Sequence, residues 1–136
     1  MTTAVSTTLW AIGTLALLTA AAPAAAAGNS GKSAIDCVTV TRDKTDVVFE
    51  NNCGGKIFVV WCGDLKYSKK RCGDGPAGNS FYTHSNNIAP GATVRASGVV
   101  GGYRYAACEG GIAFDKAPIQ DQPDGSFTCV ASKNQR

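Results

Sequence analysis

The chain has 136 residues, six cysteines and a formal charge of +3, from thirteen lysine and arginine side chains against ten carboxylates. So small an excess does not mark a nucleic-acid binder, and it permits only weak attraction to anionic surfaces. The length suits one domain rather than two.

Residues 1–27 carry no charged side chain. Leu9 to Ala22 is nearly unbroken apolar chain, Pro23 follows, and Ala24 to Ala27 precede Gly28. An apolar run followed by small residues predicts a secretory signal peptide with its cut after Ala27, although no Lys or Arg precedes the run. The run falls short of the ~20 residues a membrane span needs, so no stable span is expected after cleavage. All six cysteines lie beyond Ala27. An even count in an exported chain predicts disulfides and a secreted or periplasmic location.

Gly28 to Asp36 is rich in Gly, Ser and Lys at its start, and a flexible lead-in is expected over 28–36. A single β domain then spans 37–130, with a tail over 131–136. Cys37 to Thr41 and Asp46 to Glu50 alternate as a hairpin around the polar turn Arg42–Thr45. Asn51-Asn52 and Gly54-Gly55 punctuate the way into Ile57-Phe58-Val59-Val60-Trp61, where every residue is β-branched or aromatic. This run is apolar on both faces, which predicts a central strand buried on both sides. A meander of the first three strands is expected.

Gly73 to Ser80 is too rich in Gly and Pro for regular structure. Phe81 to His84 is a strand candidate, and Asn86 to Gly91 is a turn around Ala89-Pro90-Gly91. Ala92 to Ala96 alternates, Gly98 to Gly102 suits a bulge or hairpin tip, and Tyr103 to Cys108 is a convincing strand. After Gly110-Gly111, Ile112 to Phe114 is short. Asp115 to Gly125 is a polar loop ending in the hairpin signal Asp124-Gly125, and Ser126 to Val130 is a last strand. No segment has a helical apolar stripe. The fold class expected is all-β: a small antiparallel sandwich or barrel stapled by disulfides.

Chain entropy favours bridges between sequence neighbours: Cys37–Cys53, Cys62–Cys72 and Cys108–Cys129. Cys37–Cys129 with Cys53–Cys108 is the main rival. No Cys-x-x-Cys occurs and His84 is the sole histidine, so neither a metal nor a cofactor is expected.

Little in the chain suits catalysis. His84 has no evident nucleophile, Gly-x-Ser-x-Gly is absent, and the carboxylates Asp64, Asp74, Glu109, Asp115, Asp121 and Asp124 mostly sit beside glycines or prolines, where they serve turns. The loop between Cys62 and Cys72 is more distinctive, because it displays Lys66, Tyr67, Lys69, Lys70 and Arg71. A disulfide-held basic loop can meet a protein partner, including a trypsin-like pocket, or an anionic envelope polymer, with little entropy lost on binding.

Val48 to Cys53 with Val59 to Cys62, Ile88 to Gly91, and Tyr103 to Gly111 together resemble small exported cysteine-rich β-domain proteins of bacteria with no assigned function. The resemblance implies a fold type and little else. Asn51-Asn52-Cys53 before a strand with Val and Trp is similar to thaumatin-like proteins, from which nothing is carried over, since this chain is about half their size and has far fewer cysteines. Ser97-Gly98 and Arg104-Tyr105 are similar to the Ser-Gly-x-Arg-Tyr loop of C-type lysozyme inhibitors, with five residues between the pairs where the motif has one.

The expectation is therefore an exported, non-catalytic β domain that binds a partner or serves a structural role at the cell envelope or outside the cell. An inhibitor of an exported hydrolase, acting through the Lys66–Arg71 loop or the Arg104-Tyr105 region, is the alternative. A small secreted hydrolase comes third.

Overall fold

The computed structural model describes residues 30–75, 80–111 and 119–131. The expected signal peptide, the Ile112–Phe114 segment and most of the tail lie outside them. Eight strands are present: β1 (Val38–Asp43), β2 (Asp46–Asn51), β3 (Ile57–Leu65), β4 (His84–Ile88), β5 (Thr93–Ala96), β6 (Val99–Glu109), β7 (Ile119–Asp121) and β8 (Phe127–Cys129). Every pairing is antiparallel. One sheet has the order β1-β2-β5, a second β4-β3-β6, and β7 and β8 form a separate hairpin.

The three units stack with β3 in the middle. Successive side chains on a strand point to opposite faces. Ile57, Val59 and Trp61 accordingly join Val47, Phe49, Ala96 and Val99 in a core between the two sheets. Phe58 and Cys62 face the other way, into a smaller core with Tyr82, Ala106, Cys108 and Ile119 that the β7–β8 hairpin covers. This explains the doubly apolar run. In β2, Val47, Phe49 and Asn51 are buried while Asp46, Val48 and Glu50 are only partly so. A strand of that kind belongs in an outer sheet, whereas β3 needs an inner one.

The meander is corrected on this point. β3 does not pair with β2. The connection 52–56 carries the chain across to the second sheet, and β5 takes the place beside β2. Asn51 sits at this crossing and is fully buried. Its amide nitrogen donates to Gly55 O and Ile88 O, both at 2.9 Å, and its side-chain oxygen accepts from Cys53 N at 2.8 Å. Its backbone N–H donates to Ala92 O, and its carbonyl accepts from Gly91 N. Paired so completely, the amide joins the ends of both sheets without an unsatisfied buried group.

The disulfides join Cys37 to Cys53, Cys62 to Cys72 and Cys108 to Cys129, the neighbour set. They place the chain in an oxidising, extracellular-type environment. Cys108–Cys129 ties the β7–β8 hairpin to β6.

Three local expectations also change. The described part of the lead-in is docked rather than loose: Ala34 is buried and donates to Ala107 O, Glu109 N donates to Lys32 O, and Ser33 bridges Cys108. Phe81 to Thr83 precede β4 instead of forming it. The Asp121 carboxylate accepts from the N–H groups of Phe81 and Tyr82, which takes those donors away from any ladder. Between β5 and β6, Ser97-Gly98 is a corner where the chain changes sheets, with Gly98 at φ 77°. The β6 strand then runs on through the expected bulge, and the register shift falls opposite it, between Gly63 and Leu65.

Candidate functional surface

Three connections meet at one end of the sandwich: the β1–β2 turn, the chain leaving β3, and the Ser97-Gly98 corner. Backbone bonds join them. Val99 N donates to Thr45 O at 2.6 Å, and Lys66 N donates to Gly98 O at 2.8 Å. Gly98 N donates to Asp46 Oδ1 at 3.1 Å. The Arg42 guanidinium spans Val99 O and Gly101 O at 3.0 and 2.6 Å and lies 5.5 Å from the Tyr103 ring centroid. The disulfide-closed loop and the turn after β5, far apart in sequence, are therefore one surface.

The charge on this surface is uneven. The β1–β2 turn and the neighbouring β5 supply Arg42, Lys44 and Arg95; the loop supplies Lys66, Lys69, Lys70 and Arg71. Against these seven cations stand four carboxylates: Asp43, Asp46, Asp64 and Asp74. The excess is three, whereas the described residues elsewhere set the cations Lys32, Lys56 and Arg104 against the carboxylates Asp36, Glu50, Glu109, Asp121 and Asp124. Among the described residues, the positive excess thus lies at this end.

The carboxylates there are already engaged. Arg95 holds Asp43 at 2.8 Å and Asp46 at 3.1 Å. The Gly98 N–H, then Arg95, lowers the Asp46 pKa below the ordinary carboxylate value, and the two aspartates raise that of Arg95. Asp64 takes Arg71 Nε at 3.2 Å and Gly102 N at 3.2 Å. Asp74 accepts from Arg71 N at 2.9 Å. Among the described residues, Lys44, Lys66, Lys69 and Lys70 enter no ion pair. All four are exposed.

Within the loop the expected binding residues separate. Tyr67 is 84% exposed, its ring near Gly98 and its centroid 5.3 Å from Lys66 Nζ. Lys69 and Lys70 face solvent. Arg71 turns back instead, donating to Ser68 O and Lys70 O as well as pairing with Asp64. It is poorly placed to enter a partner's pocket.

Arg104 and Tyr105, expected as a pair, occupy opposite faces of β6. Tyr105 packs beside the inter-sheet core, its ring 5.6 Å from that of Phe49, and burial raises its pKa. Arg104 donates to Asp124 O at 2.8 Å and lies 5.1 Å from the Phe81 ring. It braces the β7–β8 turn, where Tyr82 OH also donates to Gly125 O at 2.7 Å.

His84 is stacked on Trp61. Its Nδ1 is 2.7 Å from Thr83 Oγ1, and the indole N–H of Trp61 donates to Asn86 Oδ1 at 3.1 Å. Burial, with Lys70 adding to it, lowers the histidine's pKa. Among the described residues no carboxylate is hydrogen-bonded to the imidazole, and no group of His, Cys, Asp or Glu is arranged to hold a metal ion. No helix among them is long and apolar enough to cross a membrane.

Sequence reasoning missed Arg42 and Lys44, which it took as turn residues. Lys44 has φ 55°, and the only signal available was a charged turn between two strands. No family model matches the chain, and no match is found among curated proteins or among solved structures.

Proposed function

We propose that this protein is an exported, non-catalytic binding module, and that the basic end of its sandwich engages an anionic partner at the cell envelope or outside the cell. One observation carries this reading: among the described residues, the positive excess lies where the carboxylates are internally engaged and four lysines enter no ion pair. Clustered charges of one sign raise the local concentration of an opposite partner and speed its encounter. The Cys62–Cys72 bridge limits the entropy lost when the loop is held by a ligand. His84 is hydrogen-bonded to Thr83 and stacked on Trp61, contacts that give it a packing role in this reading.

Co-sedimentation of the purified, processed protein with isolated cell envelopes tests this. Binding is expected to fall as salt rises from about 50 mM to about 500 mM, because exposed charges are screened over a shorter range. The variant Lys66→Glu/Lys69→Glu/Lys70→Glu is expected to lose it. Lys32→Glu/Lys56→Glu is expected to keep most of it, and more than Lys69→Glu/Lys70→Glu, which makes the same change in net charge. No sedimentation, or equal loss in the two double variants, would refute a localised anion-binding surface.

A further inference from the structure

The basic surface carries one feature that charge alone does not require. Among the described residues, Tyr67 is the most exposed of the large hydrophobic side chains. The preceding residue is anchored by the bond from Lys66 N to Gly98 O, and the ring lies on the side of Gly98 where a Cβ would point. A Cβ added at Gly98 would lie 3.6 Å from the ring, an ordinary contact, so it is the φ of 77° and not crowding by the phenol that calls for glycine there. The phenol is thus presented to solvent with Lys66 Nζ 5.3 Å from its ring centroid, and the Thr45–Val99 bond brings the Lys44 turn alongside.

Resting on the anion-binding reading above, we propose that the occupant of this surface is an anionic polysaccharide, with a sugar ring seated on Tyr67 and its acidic groups met by Lys66 and Lys44. A flat aromatic face flanked by cations suits a ligand that alternates apolar C–H faces with negative charge. Lipid and protein partners fit less well. Among the described residues, the exposed large hydrophobics are Tyr67, Val100 and Val130. Of these only Tyr67 and Val100 lie near the basic end, too few for membrane insertion or for the apolar centre of a protein interface.

Isothermal titration of the purified, processed protein with four probes decides the matter: polygalacturonate, polyglutamate, neutral dextran, and phosphatidylglycerol vesicles. Polygalacturonate is expected to bind in a salt-dependent way and more tightly than polyglutamate of matched charge, with dextran and vesicles weaker still. Tyr67→Ala should weaken polygalacturonate by about three- to tenfold while leaving its salt dependence and polyglutamate unchanged. Tyr67→Phe should restore it, since the ring face and not the hydroxyl does the work. Lys44→Ala should flatten the salt dependence. Equal affinity for polyglutamate, preference for vesicles, or indifference to Tyr67→Ala would overturn the saccharide while leaving an anion-binding surface standing. Silence with all the anionic probes would remove both.

Discussion

The rings of Trp61 and His84 face each other across the β3–β4 pairing, with centroids 4.2 Å apart and planes 16° from parallel. The indole is almost buried at 7% exposure, so the imidazole acts as its lid. Burial first, and Lys70 second, favour the neutral imidazole and lower its pKa from 6.5. The sign follows from linkage: the unfolded chain binds the proton more readily, so this contribution is complete above the unfolded pKa and is lost as pH falls through the lower folded one. With one histidine in the chain, a decline in stability just below pH 6.5 is assigned to it. Urea midpoints compared across this window should fall for the native protein and stay flatter for His84→Phe. Parallel declines in the two proteins would remove His84 as the cause.

Replacing Asn51 by Leu should be among the most damaging single changes. The substitution orphans Cys53 N and takes a donor from both Gly55 O and Ile88 O, at a fully buried site. Each unpaired buried group is costly, and a loss of about 3 kcal/mol is expected. Chemical denaturation would measure it. An unchanged midpoint would show that the crossing between sheets does not depend on this amide.

Opening the Cys108–Cys129 bridge with a pair of alanines should loosen one unit rather than the whole. The loop it closes spans 21 residues, which corresponds to about 3 kcal/mol of chain entropy. The β7–β8 hairpin also relies on Tyr82, Arg104 and Asp121, whereas the inter-sheet core does not. Amide exchange is therefore expected to accelerate at Gln120 and Thr128 well before Val47 or Val59. Uniform acceleration would mean that the layers unfold together.

The basic loop should be a substrate of trypsin and not its inhibitor. Residues 68–71 lie outside any strand, Lys69 and Lys70 are exposed, and Arg71 is tied to Asp64. Cleavage of the native protein is expected first after Lys69 or Lys70, with both pieces held together by Cys62–Cys72 until reduction. Mass spectrometry before and after a reducing agent shows this directly. A long-lived, uncut complex with the protease would instead favour the inhibitor.

The physics of near neighbours was readable in advance. Alternation marked Asp46 to Glu50 as a strand of the first hairpin, Asp124-Gly125 announced the last hairpin, and short closures favoured the three bridges. Even the double burial of Ile57 to Trp61 followed from side-chain period and composition. Which sheet each strand joins was not readable, because a strand's pattern states how many faces are covered but not by what. The run of Ile57 to Trp61 fits a middle layer as well as the middle of a meander, and the crossing at Asn51 settles the choice. The basic surface was equally hidden. Arg42, Lys66 and Gly98 lie far apart along the chain and meet through backbone bonds that exist only once both sheets have closed.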